Sequence, residues 1–457
     1  MRTILTILFL AVTGVYAQEA QLRNAISALE KDDQFTHAII SLYVMDADGK
    51  QVFAHNERTG LVPASSLKVL TAISAYDMLG RDFRWKTLLG YTGKKNDDSI
   101  DGDLVIKGGG DPTLGSWRYK GGMEAAFQDM LAPYKNVKNV SGRLFIDDMI
   151  YGYQPVPDTW IWQDMGNYFG AGAFGFNWYE NKYDLFLKPG RLNEPVTVIR
   201  TSPLDVAGQV TSMITTGPSG SGDKALIFAS PYNEHIYATG TVGGGVAEFR
   251  ISGAIPDPAR AFGRYFIKRS KIKFGEGLVT ASSYPERNIL QERITWTDSI
   301  VSPPLDMVMK EFLNESINLY GEAFVKAIGA GSSDDPNTTI TGFEAIRAYW
   351  KQKGIGEGMK NFDGSGLSVS NRIPVKTLAS LLHYARKQPW FSSFYKAMPE
   401  MNGMVMKSGY IGGVRAYAGY ARSKSGKEYS FAFIINNFDG SPGMVRQKMW
   451  KVLDLLK

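Results

Sequence analysis

The segment PASSLKVLTA, residues 63–72, places a serine and a lysine three positions apart at the start of an apolar run. Apolar residues then recur at steps of three up to Gly80, which predicts an α-helix. Side chains at positions i and i+3 share one face of a helix, so the Lys68 amine would lie near the Ser65 hydroxyl. A serine needs such a base to become a nucleophile. The segment therefore predicts a nucleophile–base pair, and the alternative is an ordinary serine N-cap.

The Ser-x-x-Lys spacing recurs elsewhere in the chain, so it decides little by itself. It occurs at three further places: Ser221/Lys224, Ser270/Lys273 and Ser393/Lys396. These pairs lie in a Gly-rich loop, in a basic stretch and after a Pro-Trp break, whereas Ser65 opens a long apolar helix. The choice among the four pairs must rest on other motifs.

Two downstream motifs add polar groups. SIN (316–318) stands between two helical stretches predicted within residues 307–329, where a hydroxyl and an amide could face one cleft; alone, it reads as a polar helix junction. KSG (407–409) follows the strand-like run MVM and would offer a cation, a hydroxyl and close access to the backbone. A second KSG (424–426) lies in a polar turn between two predicted strands and is interpreted as a hairpin tip.

The order of predicted elements is α/β at both chain ends and β-rich in the middle. The predicted helices cover residues 18–35, 64–80, 121–132, 307–329 (two stretches), 341–353, 374–387 and a last helix that starts at Pro442. A β-hairpin is predicted over residues 40–55 around an Asp48-Gly49 turn. Residues 81–284 are rich in Gly and short strand-like runs. We therefore predict an α/β (α+β) domain built from both chain ends, with a large β-rich insertion.

The N-terminal residues predict export. Arg2 precedes an apolar run, and Val15-Tyr16-Ala17 is typical of a signal-peptide cleavage site. The run is too short to span a bilayer, and no later segment approaches 18 uninterrupted apolar residues. We therefore predict a signal peptide over residues 1–17 and a location in the periplasm or cell envelope.

Composition excludes several classes of site. The chain has 457 residues, of which 44% are hydrophobic and 21% charged, as in ordinary folded proteins. It has no cysteine, so a thiolate nucleophile or metal site is excluded. The net charge is +6, but Lys and Arg are spread along the chain, which does not indicate a nucleic-acid site. The four histidines show neither a zinc spacing nor a preceding GxSxG elbow.

SxxK, SxN and K[ST]G in this order form the signature of penicillin-recognising serine hydrolases. On these motifs the chain resembles the penicillin-binding protein 4-like D-alanyl-D-alanine carboxypeptidases, peptidase family S13, over nearly its whole mature length. The matching blocks are PASSLKVLTA (63–72), GGGDPTLGS (108–116), SINLYGEAFVKAIG (316–329), FDGSGLSVSNR (362–372) and KSGYIGGVRAYAGY (407–420). Ser65 and Ser316 are 251 positions apart, which is similar to the large insertion of this family.

The resemblance implies a hydrolase that acts on peptidoglycan stem peptides ending in D-Ala-D-Ala, with β-lactams as inhibitors and without a cofactor or metal. The implied catalytic residues are Ser65 as nucleophile, Lys68 as neutral-amine base, Ser316 as proton relay, Asn318 as the residue that holds the substrate amide and orients Lys68, and Lys407 as the cation for the terminal carboxylate. The implied substrate-binding residues are Ser408, Gly409 and Tyr410, with the Ser65 and Tyr410 N–H groups as oxyanion hole.

The change from helical periodicity to Gly-rich, strand-like sequence and back predicts a domain plan. The predicted domains after the signal peptide are a transpeptidase-like catalytic domain from 18–80 and 291–457, an inserted β-rich domain from 81–165 and 247–290, and a second inserted domain over 166–246.

The chain departs from the family pattern at KSG-Tyr410, because the family usually has KTG followed by Thr. Ser408 keeps a hydroxyl, whereas Tyr410 loses one and adds bulk, so we expect altered substrate affinity and β-lactam sensitivity rather than altered chemistry. A β-lactamase is one alternative; it would need a fast deacylating Glu, and neither Glu315 nor Glu322 is obviously placed for this. A catalytically inactive peptidoglycan-binding scaffold is the other. The balance between carboxypeptidase and endopeptidase activity stays open.

Overall fold

The structure is a computed structural model that describes residues 18–203, 206–283, 293–332 and 338–457. The predicted signal peptide, residues 1–17, lies outside the described residues. None of the helices in the described ranges has both the length and the apolar composition needed to cross a bilayer. The chain divides into two compact units: the first comprises Met1–Arg81, Leu305–Ile317 and Phe343–Lys457, and the second comprises Asp82–Pro304 and Asn318–Gly342.

The elements are numbered in chain order. The described helices are α1 (residues 18–30), α2 (Lys68–Met78), α3 (Gly122–Leu131), α4 (Trp162–Met165), α5 (Pro258–Ser270), α6 (Leu305–Asn314), α7 (Asn318–Ser332), α8 (Thr338–Gln352), α9 (Val375–Ala385), α10 (Phe391–Ala397) and α11 (Pro442–Leu453). The described strands are β1 (Ile39–Asp46), β2 (Gln51–His55), β3 (Lys86–Tyr91), β4 (Lys94–Lys95), β5 (Ser99–Asp101), β6 (Leu104–Lys107), β7 (Asn139–Val140), β8 (Arg143–Asp147), β9 (Lys182–Lys188), β10 (Thr197–Ser202), β11 (Val210–Ser212), β12 (Thr215–Gly217), β13 (Asp223–Phe228), β14 (Ile236–Gly243), β15 (Phe249–Ala254), β16 (Lys273–Phe274), β17 (Gly277–Thr280), β18 (Thr295–Val301), β19 (Glu400–Met401), β20 (Met404–Ile411), β21 (Val414–Arg422) and β22 (Glu428–Asn436).

The first unit is built on a six-stranded sheet that joins the two ends of the chain. Its strand order is β19-β20-β21-β22-β1-β2, and every pairing in it is antiparallel. The interior strands β1 and β22 are apolar and buried along almost their whole length, which fits strands covered on both faces. Gly49 makes the predicted β1–β2 turn with φ of +85°, a conformation that favours glycine.

Helices cover both faces of this sheet. The apolar stripes of α1 and α11, including Leu22, Ile26 and Met449, share one core cluster with side chains of the sheet. On the other face α9 packs against β1 and β22, and α2 packs against α9. The nucleophile segment PASSLKVLTA therefore lies in a helix layer that is supported by the sheet.

The second unit is rich in β-structure, as predicted for the insertion. It contains a five-stranded sheet in the order β17-β8-β6-β3-β18 and a four-stranded sheet in the order β16-β7-β5-β4. A three-stranded sheet has the order β10-β9-β15, and in a fourth sheet β14 pairs with β11, β12 and β13. One core cluster runs through this unit and includes Trp178, Phe262 and Phe266.

Most predicted elements are confirmed with shifted ends. The β-hairpin, the helix pair α6 and α7, and the terminal strands and helix lie where the sequence predicts them. The first predicted helix ends at residue 30 rather than 35, because a short 3₁₀ turn (Asp33–Phe35) follows. The second unit includes residues 318–342, which the predicted domain plan assigned to the catalytic domain. The predicted domain boundaries within the insertion stay a prediction.

Candidate active site

Ser65 lies in a 3₁₀ turn (Ala64–Leu67) that runs directly into α2 at Lys68. Pro63 and Leu67 occupy the N-cap positions of the turn and of α2, and neither makes a side-chain cap bond. The N-cap interpretation of Ser65 is therefore wrong.

The Lys68 amine is held against the Ser65 hydroxyl. Lys68 Nζ lies 3.0 Å from Ser65 Oγ and 2.7 Å from the carbonyl oxygen of Ser365. The Lys68 side chain is fully buried, with 0% of its surface exposed. A buried amine in hydrogen-bond contact with a serine hydroxyl is the geometry that a nucleophile–base pair requires.

Close backbone packing holds the turn in place. Ala64 has φ of +45°, a strained conformation for a residue with a Cβ. An added Cβ at Gly409 would lie 2.5 Å from the carbonyl oxygen of Pro63 and 2.9 Å from the Ser66 nitrogen. An added Cβ at Gly366 would overlap the carbonyl oxygen of Ala64. Strand β20 and the loop that follows Asp363 therefore both approach the nucleophile as closely as glycine permits.

The predicted KSG motif lies on β20, which packs against this turn. Lys407 is 3% exposed, and burial lowers the pKa of its amine to about 8. Its Nζ donates to the carbonyl oxygen of Ser408 at 3.2 Å, and within the described residues it forms no ion pair. A buried cation without a carboxylate partner is suited to an anionic ligand.

The residues that follow Lys407 alternate between more exposed and buried positions along the strand. Gly409 is buried, Ser408 is half-buried, and Tyr410 is 50% exposed. Tyr410 on β20 lies opposite Arg415 on β21. The guanidinium carbon of Arg415 is 5.6 Å from the centre of the Tyr410 ring. Arg415 was not predicted as a site residue. The two-residue Gly412-Gly413 turn could have indicated it, because the turn sets the register that puts Arg415 opposite Tyr410.

Within the SIN motif the chain passes from the first unit, which includes Ile317, to the second, which includes Asn318. Ser316 belongs to the first unit and has φ of +59°, an uncommon conformation for serine. Asn318 opens α7 in the second unit, where its Nδ2 donates to the carbonyl oxygen of Phe169 at 2.8 Å. The backbone strain at Ser316 and the oriented amide of Asn318 are both typical of functional residues.

The other copies of the SxxK and KSG motifs lie in contexts that explain them as parts of the fold. Ser393 lies in α10, and its hydroxyl donates to Asp306 Oδ2 at 3.0 Å. The second KSG (424–426) lies in the turn between β21 and β22, as predicted. Among the residues that the structure describes, Ser65/Lys68 is the one SxxK pair with a hydrogen bond between the serine Oγ and the lysine Nζ.

Comparison with known proteins gives a consistent result. A D-alanyl-D-alanine carboxypeptidase of Actinomadura sp. (strain R39) is 24% identical over 458 residues, covering 93% of this chain and 82% of that protein. The D-alanyl-D-alanine carboxypeptidase DacB of Haemophilus influenzae is 23% identical over 413 residues, covering 84% of this chain and 82% of that protein. The crystal structure of penicillin binding protein 4 (dacB) from Haemophilus influenzae has a TM-score of 0.79 at 20% identity and covers 93% of this chain and 99% of that chain. At this identity the structural likeness shows a shared fold, which confirms the predicted fold class.

A family profile matches most of the sequence. The profile is described as the D-Ala-D-Ala carboxypeptidase 3 (S13) family, and it matches residues 22–403. That range includes the segments around Ser65, Ser316 and Asp363, and it ends shortly before Lys407. The chain therefore belongs to the S13 family of serine-type D-Ala-D-Ala carboxypeptidases.

Proposed function

We propose that Ser65 is the nucleophile with which this S13 carboxypeptidase removes the last D-alanine from peptidoglycan stem peptides. The observation that carries the assignment is the 3.0 Å contact between Lys68 Nζ and Ser65 Oγ at a fully buried lysine. Family membership supports the enzyme class, and the roles of individual residues are the proposal.

In the acylation step, Ser65 Oγ attacks the carbonyl carbon of the penultimate D-alanine. Its proton passes to Lys68 Nζ, and a tetrahedral intermediate forms. The carbon–nitrogen bond then breaks as the proton reaches the leaving D-alanine nitrogen through the Ser316 hydroxyl. A water molecule hydrolyses the resulting ester, which releases the shortened peptide and restores the Ser65 hydroxyl.

Binding groups surround the reacting carbonyl in this proposal. The backbone N–H groups of Ser65 and Tyr410 stabilise the oxyanion, and the close approach of Gly409 to the Ser65 turn supports that pairing. Lys407 and Ser408 attract the terminal carboxylate, in keeping with a buried lysine that forms no ion pair within the described residues. Asn318 holds the substrate amide.

The proposal extends to location and to a second activity. Export to the periplasm or cell envelope rests on the N-terminal segment and its predicted cleavage after Ala17. Endopeptidase activity uses the same chemistry, because both reactions break a bond after D-alanine and differ only in what leaves. A β-lactam would acylate Ser65, and the resulting acyl-enzyme would be hydrolysed slowly.

The first test is the intact mass of the purified mature protein after incubation with benzylpenicillin. We expect one stable adduct on the wild type and none on Ser65→Ala. Ser393→Ala is the matched control, because it removes a serine from another SxxK motif, and it should be acylated like the wild type. D-alanine release from a stem pentapeptide should then be lost in Ser65→Ala alone.

Other outcomes would select the alternatives. Penicillin consumption without an adduct would indicate a β-lactamase. Neither an adduct nor D-alanine release would indicate a binding scaffold and would refute the proposal. D-alanine release without an adduct would keep the carboxypeptidase and show that the site, bordered by Tyr410, excludes β-lactams.

A further inference from the structure

We propose that Asp363 is a positioning residue for Lys68: it fixes the loop 363–371 so that the Ser365 carbonyl orients the lysine amine toward Ser65. The inference rests on the proposed function of Ser65 and Lys68. It assigns a role to a segment that otherwise has only a sequence resemblance.

Asp363 organises the loop from its centre. Its side chain is fully buried and accepts hydrogen bonds from the Gly366 nitrogen at 2.8 Å, from the Ser368 nitrogen and from Asn371 Nδ2 at 2.7 Å. Asn371 is also fully buried, and its Oδ1 accepts from the Phe362 nitrogen at 2.8 Å. The Asp363 carboxylate therefore binds N–H groups along the loop as far as Asn371. The carbonyl groups between them are not used by these bonds.

Two successive carbonyl groups of this loop contact α2. The Ser365 oxygen accepts from Lys68 Nζ at 2.7 Å, and the Gly364 oxygen accepts from Thr71 Oγ1 at 2.7 Å. Lys68 and Thr71 are three positions apart on the helix, so they share one face. The loop is thus attached to α2 at the base residue and again one turn later.

The contact affects the chemistry because it favours the protonated amine. A neutral amine that donates one N–H to the Ser365 carbonyl has its lone pair available for the Ser65 proton. Once the proton has moved, the new ammonium keeps the same carbonyl acceptor, which is worth more to a charged donor than to a neutral one. The Ser365 carbonyl therefore stabilises the transition state of acylation more than the ground state.

Other groups face Lys68 from neighbouring elements. The Phe312 ring of α6 has its centre 5.9 Å from Lys68 Nζ, and the Ser65 hydroxyl lies on the 3₁₀ turn. Lys407 on β20 is the charged group that the proposed mechanism places at the same site. Since these neighbours stay the same in the variants below, displacement of the Ser365 carbonyl should be detectable in the pH dependence of the acylation rate.

The test compares isosteric variants of two hydrogen-bonded carboxylates, the buried Asp363 and the half-buried Asp77. Asp363→Asn replaces an acceptor with a donor that faces N–H groups, so the loop must shift. Asp77→Asn is the control: Asp77 also accepts three bonds, from Tyr349, Tyr384 and Trp390, and it lies at the far end of α2. The second-order rate of benzylpenicillin acylation and kcat/KM for D-alanine release are measured between pH 5 and pH 10, together with Tm.

We expect Asp363→Asn to lower the acylation rate by roughly 100-fold, the scale of a 1 Å misplacement. The acidic limb of its pH–rate profile should move to lower pH, because the ammonium loses a stabilising acceptor. Asp77→Asn should lower Tm and leave the limb in place. Thr71→Val removes the second attachment without a buried charge change, and it should move the limb in the same direction by less.

The results separate this inference from the proposed function. A wild-type rate and limb in folded Asp363→Asn or Thr71→Val would overturn the positioning role and leave Ser65 as nucleophile. Equal losses in Asp363→Asn and Asp77→Asn that follow Tm, with no shift of the limb, would also overturn it. A wild type with neither acylation nor D-alanine release would remove the proposed function itself.

Discussion

At the scale of single residues, the nucleophile owes its geometry to a turn that is tighter than the sequence predicts. Periodicity placed Ser65 and Lys68 on one face of an α-helix, but Ser65 lies in a 3₁₀ turn. Side chains at i and i+3 eclipse one another in a 3₁₀ helix, whereas an α-helix offsets them. The correct proximity was therefore predicted from a slightly wrong conformation. The left-handed Ala64 that begins the turn had no sequence signal, because alanine rarely adopts that conformation.

Gly409 should be required for acylation rather than for the strand alone. In Gly409→Ala the new methyl group meets backbone atoms of Pro63 and Ser66, so the turn must shift. We expect the acylation rate to fall by roughly 100-fold and stability to fall by about 1–3 kcal/mol. Gly412→Ala is the control, because a Cβ there points into open space. Penicillin acylation and urea unfolding decide the matter, and equal behaviour of the two variants would contradict the prediction.

Lys407 should impose an alkaline limit on substrate capture. Burial lowers the pKa of its amine to about 8, so the ammonium is present below that pH and is lost above it. We expect kcat/KM for D-alanine release to fall as pH rises through about 8, because the free enzyme loses the cation for the terminal carboxylate. A substrate analogue with an amidated C-terminus lacks that carboxylate and should show no such fall. The same alkaline limb with both substrates would count against this role of Lys407.

At the scale of elements, regular periodic segments were predicted well and irregular ones were not. The β1–β2 hairpin has strand-like residues on both sides of an Asp-Gly turn, and the helix pair α6 and α7 follows a hydrophobic pattern of period 3.6. The loop 363–371 has no period, and its form depends on one buried carboxylate that binds backbone N–H groups of the same loop. Its resemblance to a family block was visible, but its contact with Lys68 was not.

Asp77 joins several helices of the first unit, and its loss should be costly. On α2 it accepts from the Tyr349 hydroxyl of α8 at 3.0 Å, the Tyr384 hydroxyl of α9 at 2.7 Å and Trp390 Nε1 at 2.8 Å. Asp77→Ala leaves these donors without their acceptor, so we expect a loss of about 2–3 kcal/mol in urea unfolding. Tyr384→Phe should cost less in the Asp77→Ala background than in the wild type. Strict additivity of the two changes would show that the hydrogen bond contributes little.

At the scale of the whole molecule, residue types and their order predict candidate site residues, but they do not predict the contacts that support those residues. Lys407 lies in the same unit as Ser65 and Lys68 although hundreds of positions separate it from them, and the order of the motifs was enough to group the three. Arg415 and Ser365 escaped prediction because their contacts depend on strand register and on a backbone carbonyl, neither of which is a property of residue type. The β-rich insertion was predicted as a class, and the pairing of its strands could not be, because its short strands come from distant parts of the sequence.

The insertion also carries buried charge that should make its stability depend on pH. Asp148 follows β8 and is 1% exposed; its Oδ1 accepts from the Ser282 nitrogen at 2.9 Å, and its Oδ2 has no hydrogen-bond partner within the described residues. Burial raises the pKa of this carboxyl from 3.8 to about 6. Its contribution to stability is therefore fully present below about pH 4 and is lost as pH rises through 6.

Asp148→Asn should consequently stabilise the protein at neutral pH. The amide keeps an acceptor for Ser282 and removes a buried negative charge, which costs the wild type up to about 3 kcal/mol above pH 6. We expect a Tm several degrees above that of the wild type at pH 7.5, with a difference that shrinks as pH falls toward 4. Asp147→Asn is the control, since Asp147 is partly exposed and its Oδ2 lies 3.5 Å from Lys107 Nζ. Thermal unfolding followed by circular dichroism between pH 4 and pH 8 measures both variants. If the Tm difference between Asp148→Asn and the wild type were constant across that range, the Asp148 carboxyl would have the same pKa in the folded and unfolded states. The prediction would then be wrong, because the substitution can change the pH dependence of stability only if the pKa of the carboxyl shifts on folding.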